Sequence, residues 1–491
     1  MSNSNPINAN DYETTLTAWR EQEKMALEML HLVGSLRFDQ SVELVLFRRD
    51  IYDSRPTELL NEHLISLSYS DQRIGIDLCL HLTKAIAALS DLVPARIDIG
   101  KLAVEWLQEK NAYPDIENFV KSKLSGFYGT SHQKLQPRDV VLYGFGRIGR
   151  IAARRIVEQT GKGEQLRLKA IVIRAQMKDK VQEAEKRAAL LRTDSIHGKF
   201  RGTVEVVEEG HALLINGNRV VLIYASNPSE IDYTNYGISD ALLIDNTGVW
   251  RDKAALSQHL RPGITKVLFT APGKDIPNVV YGVNQNDYNF DEENVLCAAS
   301  CTTNAIVPVI KVIDDFFGIE KGHIETIHAY TSDQNLLDNF HKKPRRGRAA
   351  AINMVLTSTG AGEAVAKVMP HLGGILTGNA VRVPTPNVSL AIMNLSLKKN
   401  TNREEINEKL KEASLFGELV ELIDYSTSEE YVSSHVVGTT FTSVVDAPST
   451  IVSKDGSTVT LYVWYDNEYG YTCQVVRLAK HVVKVRRKVY Y

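Results

Sequence analysis

The feature that most restricts how this chain can fold is a short apolar run, Asp139–Leu142. It leads directly into Gly144-Phe-Gly146-Arg-Ile-Gly149-Arg and then into a helical pattern from Ile151 to Glu158. Gly144 permits a tight turn, Gly146 lets backbone approach a pyrophosphate, and Gly149 lets the helix pack closely on a sheet. The helix N-terminus then offers free N–H groups and a positive dipole end to the phosphates. A glycine-rich turn without a ligand is the plainer alternative, but the strand before the loop and the helix after it favour dinucleotide binding. Further strand candidates lie at Leu168–Ile173, Ala241–Asp245 and Lys266–Thr270, with helical stretches between them. Such alternation builds a parallel sheet with helices on both faces. Residues 380–397 and 456–464 alternate Val, Leu and Thr, which points to a second, partly antiparallel sheet.

Length and composition bound the rest. At 491 residues the chain has room for about three domains. With 43% apolar and 24% charged residues it reads as a soluble globular protein rather than a disordered, collagenous or coiled-coil one. Lys plus Arg (57) nearly cancels Asp plus Glu (59), so net charge gives no case for nucleic acid or membrane attraction. Four scattered cysteines imply a reducing compartment. No signal pattern opens the chain, and no run reaches the ~18 apolar residues of a membrane helix, so the expected location is cytoplasmic.

Residues 1–135 read as a mainly helical extension. Residues 11–35, 57–70 and 74–92 carry helical spacing, Asp98 is placed to cap a helix running to Lys110, and Pro114 to open one through Phe127. Val42–Phe47 fits a strand or a helix. Residues 128–138 have the composition of a linker. A Rossmann-type dinucleotide-binding domain over 138–300 follows, completed by a C-terminal helix within 465–491, and an α+β catalytic domain occupies 301–464. The whole is of α/β class. The basic tail 480–491 is read as a solvated helix end, with RNA or membrane binding disfavoured.

A dinucleotide site normally places Asp or Glu at the end of the second strand, on the ribose 2′-hydroxyl. Here that strand ends Ile173-Arg174-Ala175-Gln176, with no acid. A carboxylate there repels a 2′-phosphate, so its absence beside Arg174 favours NADP over NAD. A solvated Arg174, or Asp179 folding back to the ribose, are the alternatives.

The stretch Ala299-Ser300-Cys301-Thr302-Thr303-Asn304 carries the chemistry. Cys301 follows a strand-like run and opens a probable helix, Thr303–Ile313, whose N-terminus is expected to lower the thiol pKa. Among 13 histidines, His328 is the one paired with it. With those residues in view, the sequence resembles the phosphorylating glyceraldehyde-3-phosphate dehydrogenase family from about Val140 to about Ala479. The markers stand in order: GFGRIGR (144–150), TDSIHGKF (193–200), NTGVW (246–250), ASCTTN (299–304), His328, STGA (358–361), RVPTPNVS (382–389) and WYDNEYGY (464–471).

The resemblance implies a Cys301 nucleophile with His328 as its base. It implies that Ser300, Thr302, Thr359 and Gly360 bind inorganic phosphate, and that Thr331 and Arg382 hold the substrate phosphate. On the cofactor side it implies that Arg147 and Ile148 meet the pyrophosphate, Thr270 lines the site and Asn467 orients the nicotinamide. A homotetramer and no metal are implied as well. The sequence departs from the family at Tyr143 (usually Asn), Ala175 (usually Asp), Ala305 (often a second Cys) and Ser226 (commonly Arg). Apart from Ala305, these touch the adenosine end of the cofactor site. Two other readings share the scaffold: a sister dehydrogenase of erythrose 4-phosphate, and a non-catalytic regulatory or binding protein whose work is done by residues 1–135.

Overall fold

The computed structural model of the chain describes residues 10–66, 73–129, 135–358 and 360–491. The end of the helical reading at 57–70, residues 130–134 of the linker, and Thr359 lie outside the described residues. The chain divides into two compact units, residues 136–485 and residues 1–135 together with 486–491.

In the larger unit, six parallel strands lie side by side in the order Val295–Cys297, Ile264–Phe269, Ala241–Asp245, Arg138–Tyr143, Leu166–Ile173 and Asn218–Tyr224. Two antiparallel strands, Ala212–Ile215 and Val204–Val207, extend the far edge. Val140, Val141, Leu142 and Tyr143 are all buried, as a central parallel strand covered on both faces requires. The order reverses at Arg138–Tyr143, and ligands of such sheets sit at the carboxyl ends of the strands beside that reversal. Helix Arg147–Glu158 covers one face together with helix Tyr469–Val482; Ala152, Ala153 and Ile156 share a core with Tyr471, Val475 and Leu478.

A second sheet follows the order Val355–Ser358, Leu376–Val383, Ile319–Ala329, Ser389–Leu397, Thr458–Tyr465, Ser443–Asp446, Ile423–Ser426. The apolar helix Cys301–Phe317 packs against it through Ile306, Val309, Ile310 and Ile313. No helix among the described residues is long and apolar enough to cross a membrane.

The smaller unit adds a sheet to the expected, mainly helical extension. Helices Asn10–Gln40, Pro56–Glu62, Ile76–Ala87, Ile99–Glu109 and Ile116–Lys123 share a core with a four-stranded sheet. Its order is Arg49–Asp50, Val42–Leu46, Ala95–Asp98, Lys488–Tyr490. Val42–Phe47 is therefore mostly strand. Fully buried Asp98 caps the helix that follows it, and its carboxylate also accepts from the Phe47 and Arg48 amides at 2.9 and 2.8 Å. Those two residues have φ of 47° and 65°, and Asp98 holds them in the left-handed turn between the first two strands.

The tail also departs from its reading. The C-terminal helix stops at Val482, where Lys484 turns left-handed at φ 58° and its neighbours close the helix with Val485 N–H donating to the Lys480 carbonyl. Lys488–Tyr490 then pairs in parallel with Ala95–Ile97. Its cations are not simply solvated: buried Arg487 reaches Glu43 at 2.6 Å, since a guanidinium taken out of water needs a matching charge.

Candidate active site

The chain leaves the strand Val295–Cys297 through Ala299, a non-glycine residue at φ 53°, and enters the helix that begins at Cys301. Three side chains hold this turn. The Ser300 hydroxyl caps the helix by accepting from Thr303 N–H at 3.0 Å. The Asn304 amide donates to the carbonyls of Ala298 and Ser300 at 2.7 and 2.8 Å, and the Tyr471 hydroxyl donates to Ala299 O at 2.9 Å. Cys301 is thus presented, partly exposed, at a helix N-terminus.

Helix and returning strand are consecutive, so the strand Ile319–Ala329 brings His328 back beside the thiol. Cys301 Sγ lies 3.7 Å from His328 Nε2. Arg382 sits opposite His328 on the neighbouring strand. Its Nη1 is 2.6 Å from His328 Nδ1 and donates to Ala329 O at 2.8 Å. His328 Nδ1 is also 2.7 Å from that carbonyl. The two Nδ1 contacts favour opposite tautomers. With Nδ1–H on the carbonyl, Nε2 presents a lone pair to the thiol; with Nδ1 accepting from Arg382, Nε2–H faces the sulfur.

The electrostatics run against the expected low thiol pKa. Burial pushes the Cys301 thiol up, and the Arg382 guanidinium and the Thr302 hydrogen bonds oppose that shift without reversing it. The cause of the upward shift is the cost of withdrawing a charged sulfur from water. Burial likewise holds His328 down to about 3, reinforced by Arg382 and Arg346 and opposed by the Ala329 carbonyl. Both shifts favour the neutral thiol and the neutral imidazole.

A cavity of about 460 Å³ gathers Ser300, Cys301, Thr302, His328, Gly360 and Arg382. Its walls also carry Arg251, Lys343, Arg346 and Lys367 against a single acid, Glu363. Thr331 does not line it; this residue follows the strand Ile319–Ala329 and its carbonyl accepts from Gln334 N–H. Arg346, missed by the sequence reading, is held toward the cavity by Asp333 and by Thr357 Oγ1 at 2.8 Å; the cation-rich run HKKPRRGR was the available signal. Also missed is Tyr465, whose buried hydroxyl joins Thr302 Oγ1 at 3.0 Å and Thr326 Oγ1 at 2.7 Å. Nothing local in its alternating strand marks that role.

At the first sheet, Gly144 has φ 93°, and a Cβ at Gly149 would lie 2.3 Å from Gly144 O. A side chain at Gly146 would meet no protein atom within 4 Å, so the space before the loop is open to a pyrophosphate. The Arg147 guanidinium is paired with Glu468 and with Asp194 at 3.2 Å; its backbone N–H and that of Ile148, in the first helical turn, are what the loop offers to phosphate. Thr270 Oγ1 donates to Asp245 O at 3.0 Å. Asn467, 7% exposed, accepts at Oδ1 from Ser389 Oγ at 3.1 Å, while Ser389 Oγ accepts from Ala329 N–H. Its amide NH₂ stays available to a carbonyl acceptor such as a carboxamide. Ser389 is a third residue the sequence reading missed.

At the end of the second strand, Arg174 and Ala175 are exposed. Asp179 does not fold back to the ribose position: it caps the helix Lys180–Arg192, accepting from Gln182 N–H at 3.0 Å. Tyr143 is buried, its ring edge-on to Trp250 and His259. The open loop, the free helix N–H groups and the Asn467 amide fit a nicotinamide dinucleotide.

Fold and site together define a Rossmann-type oxidoreductase with a thiol–imidazole pair in its second domain. The comparisons narrow that class. Residues 138–253 match the glyceraldehyde 3-phosphate dehydrogenase NAD binding domain, and residues 300–467 match the glyceraldehyde 3-phosphate dehydrogenase C-terminal domain. The chain belongs to the glyceraldehyde-3-phosphate dehydrogenase family. It is 42% identical over 353 residues to the glyceraldehyde-3-phosphate dehydrogenase of Clostridium pasteurianum, covering 71% of this chain and 99% of that one. With glyceraldehyde-3-phosphate dehydrogenase 2 of Bacillus subtilis it shares 39% over 347 residues, 70% of this chain and 96% of that one. A glyceraldehyde-3-phosphate dehydrogenase-like protein of Pseudomonas aeruginosa is 47% identical over 462 residues, 93% of this chain and 98% of its own. That last alignment is too long to exclude the N-terminal unit, whereas the other two have about the length of the larger unit alone.

Proposed function

We propose that this protein oxidises glyceraldehyde 3-phosphate with NAD(P) and inorganic phosphate to an acyl phosphate, reversibly, with Cys301 as nucleophile and His328 as proton carrier. The observation that carries the reading is the 3.7 Å thiol–imidazole contact beside Arg382 in a cation-rich cavity.

Neutral His328, with its Nε2 lone pair toward the sulfur, takes the thiol proton as Cys301 Sγ adds to the aldehyde carbon and passes that same proton to the carbonyl oxygen, giving a thiohemiacetal and a neutral imidazole again. The bound dinucleotide supplies the hydride acceptor. His328 takes the hydroxyl proton as the hydride departs, leaving a thioester on Cys301. Phosphate attacks the thioester carbon, the C–S bond breaks, and the sulfur recovers its proton from His328. Arg382 suits the substrate phosphate, with Thr331 outside the cavity that holds it; Ser300, Thr302, Thr359 and Gly360, with Arg346, suit the attacking phosphate. Anion binding offsets the Arg382 and Arg346 fields that hold His328 down, so the base strengthens once substrate is in place.

NADP is the favoured coenzyme, on the exposed Arg174 and the absence of an acid at Ala175; that would suit a gluconeogenic direction. Assembly as a homotetramer in the cytoplasm fits a patch of large apolar side chains at Leu336, Leu337, Phe340, Ile352 and Met354, with Phe340 88% exposed. Purified protein tests the reading. Steady-state reduction of NADP should require both glyceraldehyde 3-phosphate and phosphate, and should exceed the rate with erythrose 4-phosphate. Turnover undiminished without phosphate, or a higher kcat/KM with the four-carbon aldehyde, would overturn it.

A further inference from the structure

The end of the strand Leu166–Ile173 holds an arrangement that composition at Arg174-Ala175 does not reveal. Glu183, in the first turn of the helix Lys180–Arg192, is 2% exposed and turns its carboxylate inward. It accepts from the amides of Gln176 (3.1 and 3.2 Å) and Met177 (3.1 Å) and from Arg187 Nε and Nη2 at 3.2 and 2.7 Å. Burial alone would push the Glu183 carboxyl up, but the Arg187 bond and the two amides hold it below the usual carboxylate range. The acid of this loop is therefore ionised and saturated, facing protein rather than ribose.

Arg187 is the other half of the arrangement. Its Nη2 also donates to the Arg174 carbonyl at 2.9 Å, so the guanidinium is pinned at the carboxyl end of the strand, where the ribose of a dinucleotide sits. Its side chain is 20% exposed, and Nη1 donates to no protein atom among the described residues. The Arg174 guanidinium, also exposed, lies within electrostatic reach of Tyr143 at the glycine loop. The acids around them are engaged elsewhere: Asp179 caps its helix, and Glu230 accepts from the Ser226 amide and the Asn227 side chain at 2.9 Å each.

We propose that Arg187, fixed by Glu183, seats the 2′-phosphate of NADP together with Arg174, and that Glu183 is the positioning residue of this seat. The proposal rests on the NADP reading and assigns it to side chains outside the glycine motif. A pinned guanidinium with an unused amine loses little freedom on binding a phosphate, and a charge-assisted pair of this kind resists replacement by lysine.

Calorimetric titration of the full chain with 2′,5′-ADP and with 5′-AMP tests it without turnover. The wild-type protein should bind 2′,5′-ADP at least about tenfold more tightly, as one charge-assisted hydrogen bond provides. Arg187→Leu should lose about ten- to a hundredfold of 2′,5′-ADP affinity while 5′-AMP stays within about twofold. Equal affinities in the wild type would overturn the NADP reading and this proposal with it. A preference that survives in Arg187→Leu would overturn this proposal alone. Since Arg187→Leu strips a buried carboxylate of its partner and could unfold the loop, Ala175→Asp gives an independent answer at an exposed position. It should abolish the preference for 2′,5′-ADP, and an unchanged preference would show that the seat lies elsewhere.

Discussion

The two ends of the site are built on opposite principles. Around Cys301 the cations are left in excess, with five against one acid lining the cavity, and Arg382 engages only His328 and a carbonyl. Around the glycine loop the charges satisfy one another: Arg147 with Glu468 and Asp194, Arg187 with Glu183. On the proposed function, the first end keeps a field in reserve for anions that arrive and leave, and that field also acts on the Cys301–His328 pair. The second end presents backbone N–H groups and one spare amine to a ligand whose charge does not change place. Chemistry at one end and recognition at the other should therefore respond differently to mutation.

The largest contrast is expected at the sulfur. Cys301→Ala should lower kcat by at least about 10⁴-fold, as loss of a nucleophile does, with coenzyme affinity unchanged by calorimetry. His328→Asn should cost about 10²–10⁴-fold in kcat, the range of general acid–base work, again without moving coenzyme affinity. If either variant weakened coenzyme binding tenfold, the separation of the two ends would fail.

Arg382→Leu sharpens the comparison because one side chain both holds anions and sets two pKa values. Loss of its charge-assisted hydrogen bonds should raise the KM for the aldehyde about ten- to a hundredfold. The signs of the pH effects differ in origin and agree in direction. The guanidinium favours the thiolate, so its removal moves the Cys301 thiol further up; it disfavours imidazolium, so its removal moves His328 up toward its ordinary range. Alkylation of the variant by iodoacetamide should then accelerate only at higher pH than in the wild type. A shift of the alkylation profile to lower pH would contradict the assigned electrostatics.

Sequence legibility follows the same division. The strand Ala241–Asp245 is readable to the residue because a buried parallel strand is a continuous apolar run bounded by polar residues. The Cys301–His328 pair is readable from the ASCTTN motif and a histidine on the next apolar strand, and a helix followed by a returning strand brings them together. What escapes are partners set by distant pairing. Lys488–Tyr490 adds to a sheet whose other strands are nearly 400 positions away, and no local periodicity encodes that. Tyr465, Ser389 and Arg187 each look like ordinary surface or strand residues until the fold aims them. The thiol's electrostatics divide the same way: a helix end is visible in sequence, but the burial that pushes the Cys301 thiol up is not.

The smallest effect belongs to the junction between the two ends. Ser389 Oγ accepts from Ala329 N–H, one residue beyond His328, and donates to Asn467 Oδ1 at 3.1 Å. It follows Val388, a β-branched residue held at φ 69°, where such a side chain is costly and the surrounding contacts must hold it. Ser389→Ala removes both neutral hydrogen bonds, and the loss of the one to Asn467 leaves that amide free to rotate, at about 1 kcal/mol, or roughly fivefold, on the coenzyme side. If the Asn467 amide orients the nicotinamide, as the proposed function has it, while the serine also braces the His328 strand, the loss should fall on the KM for coenzyme, with kcat within about twofold. A fall in kcat with KM unchanged would place Ser389 with the proton-transfer pair, and the two ends would be one coupled network.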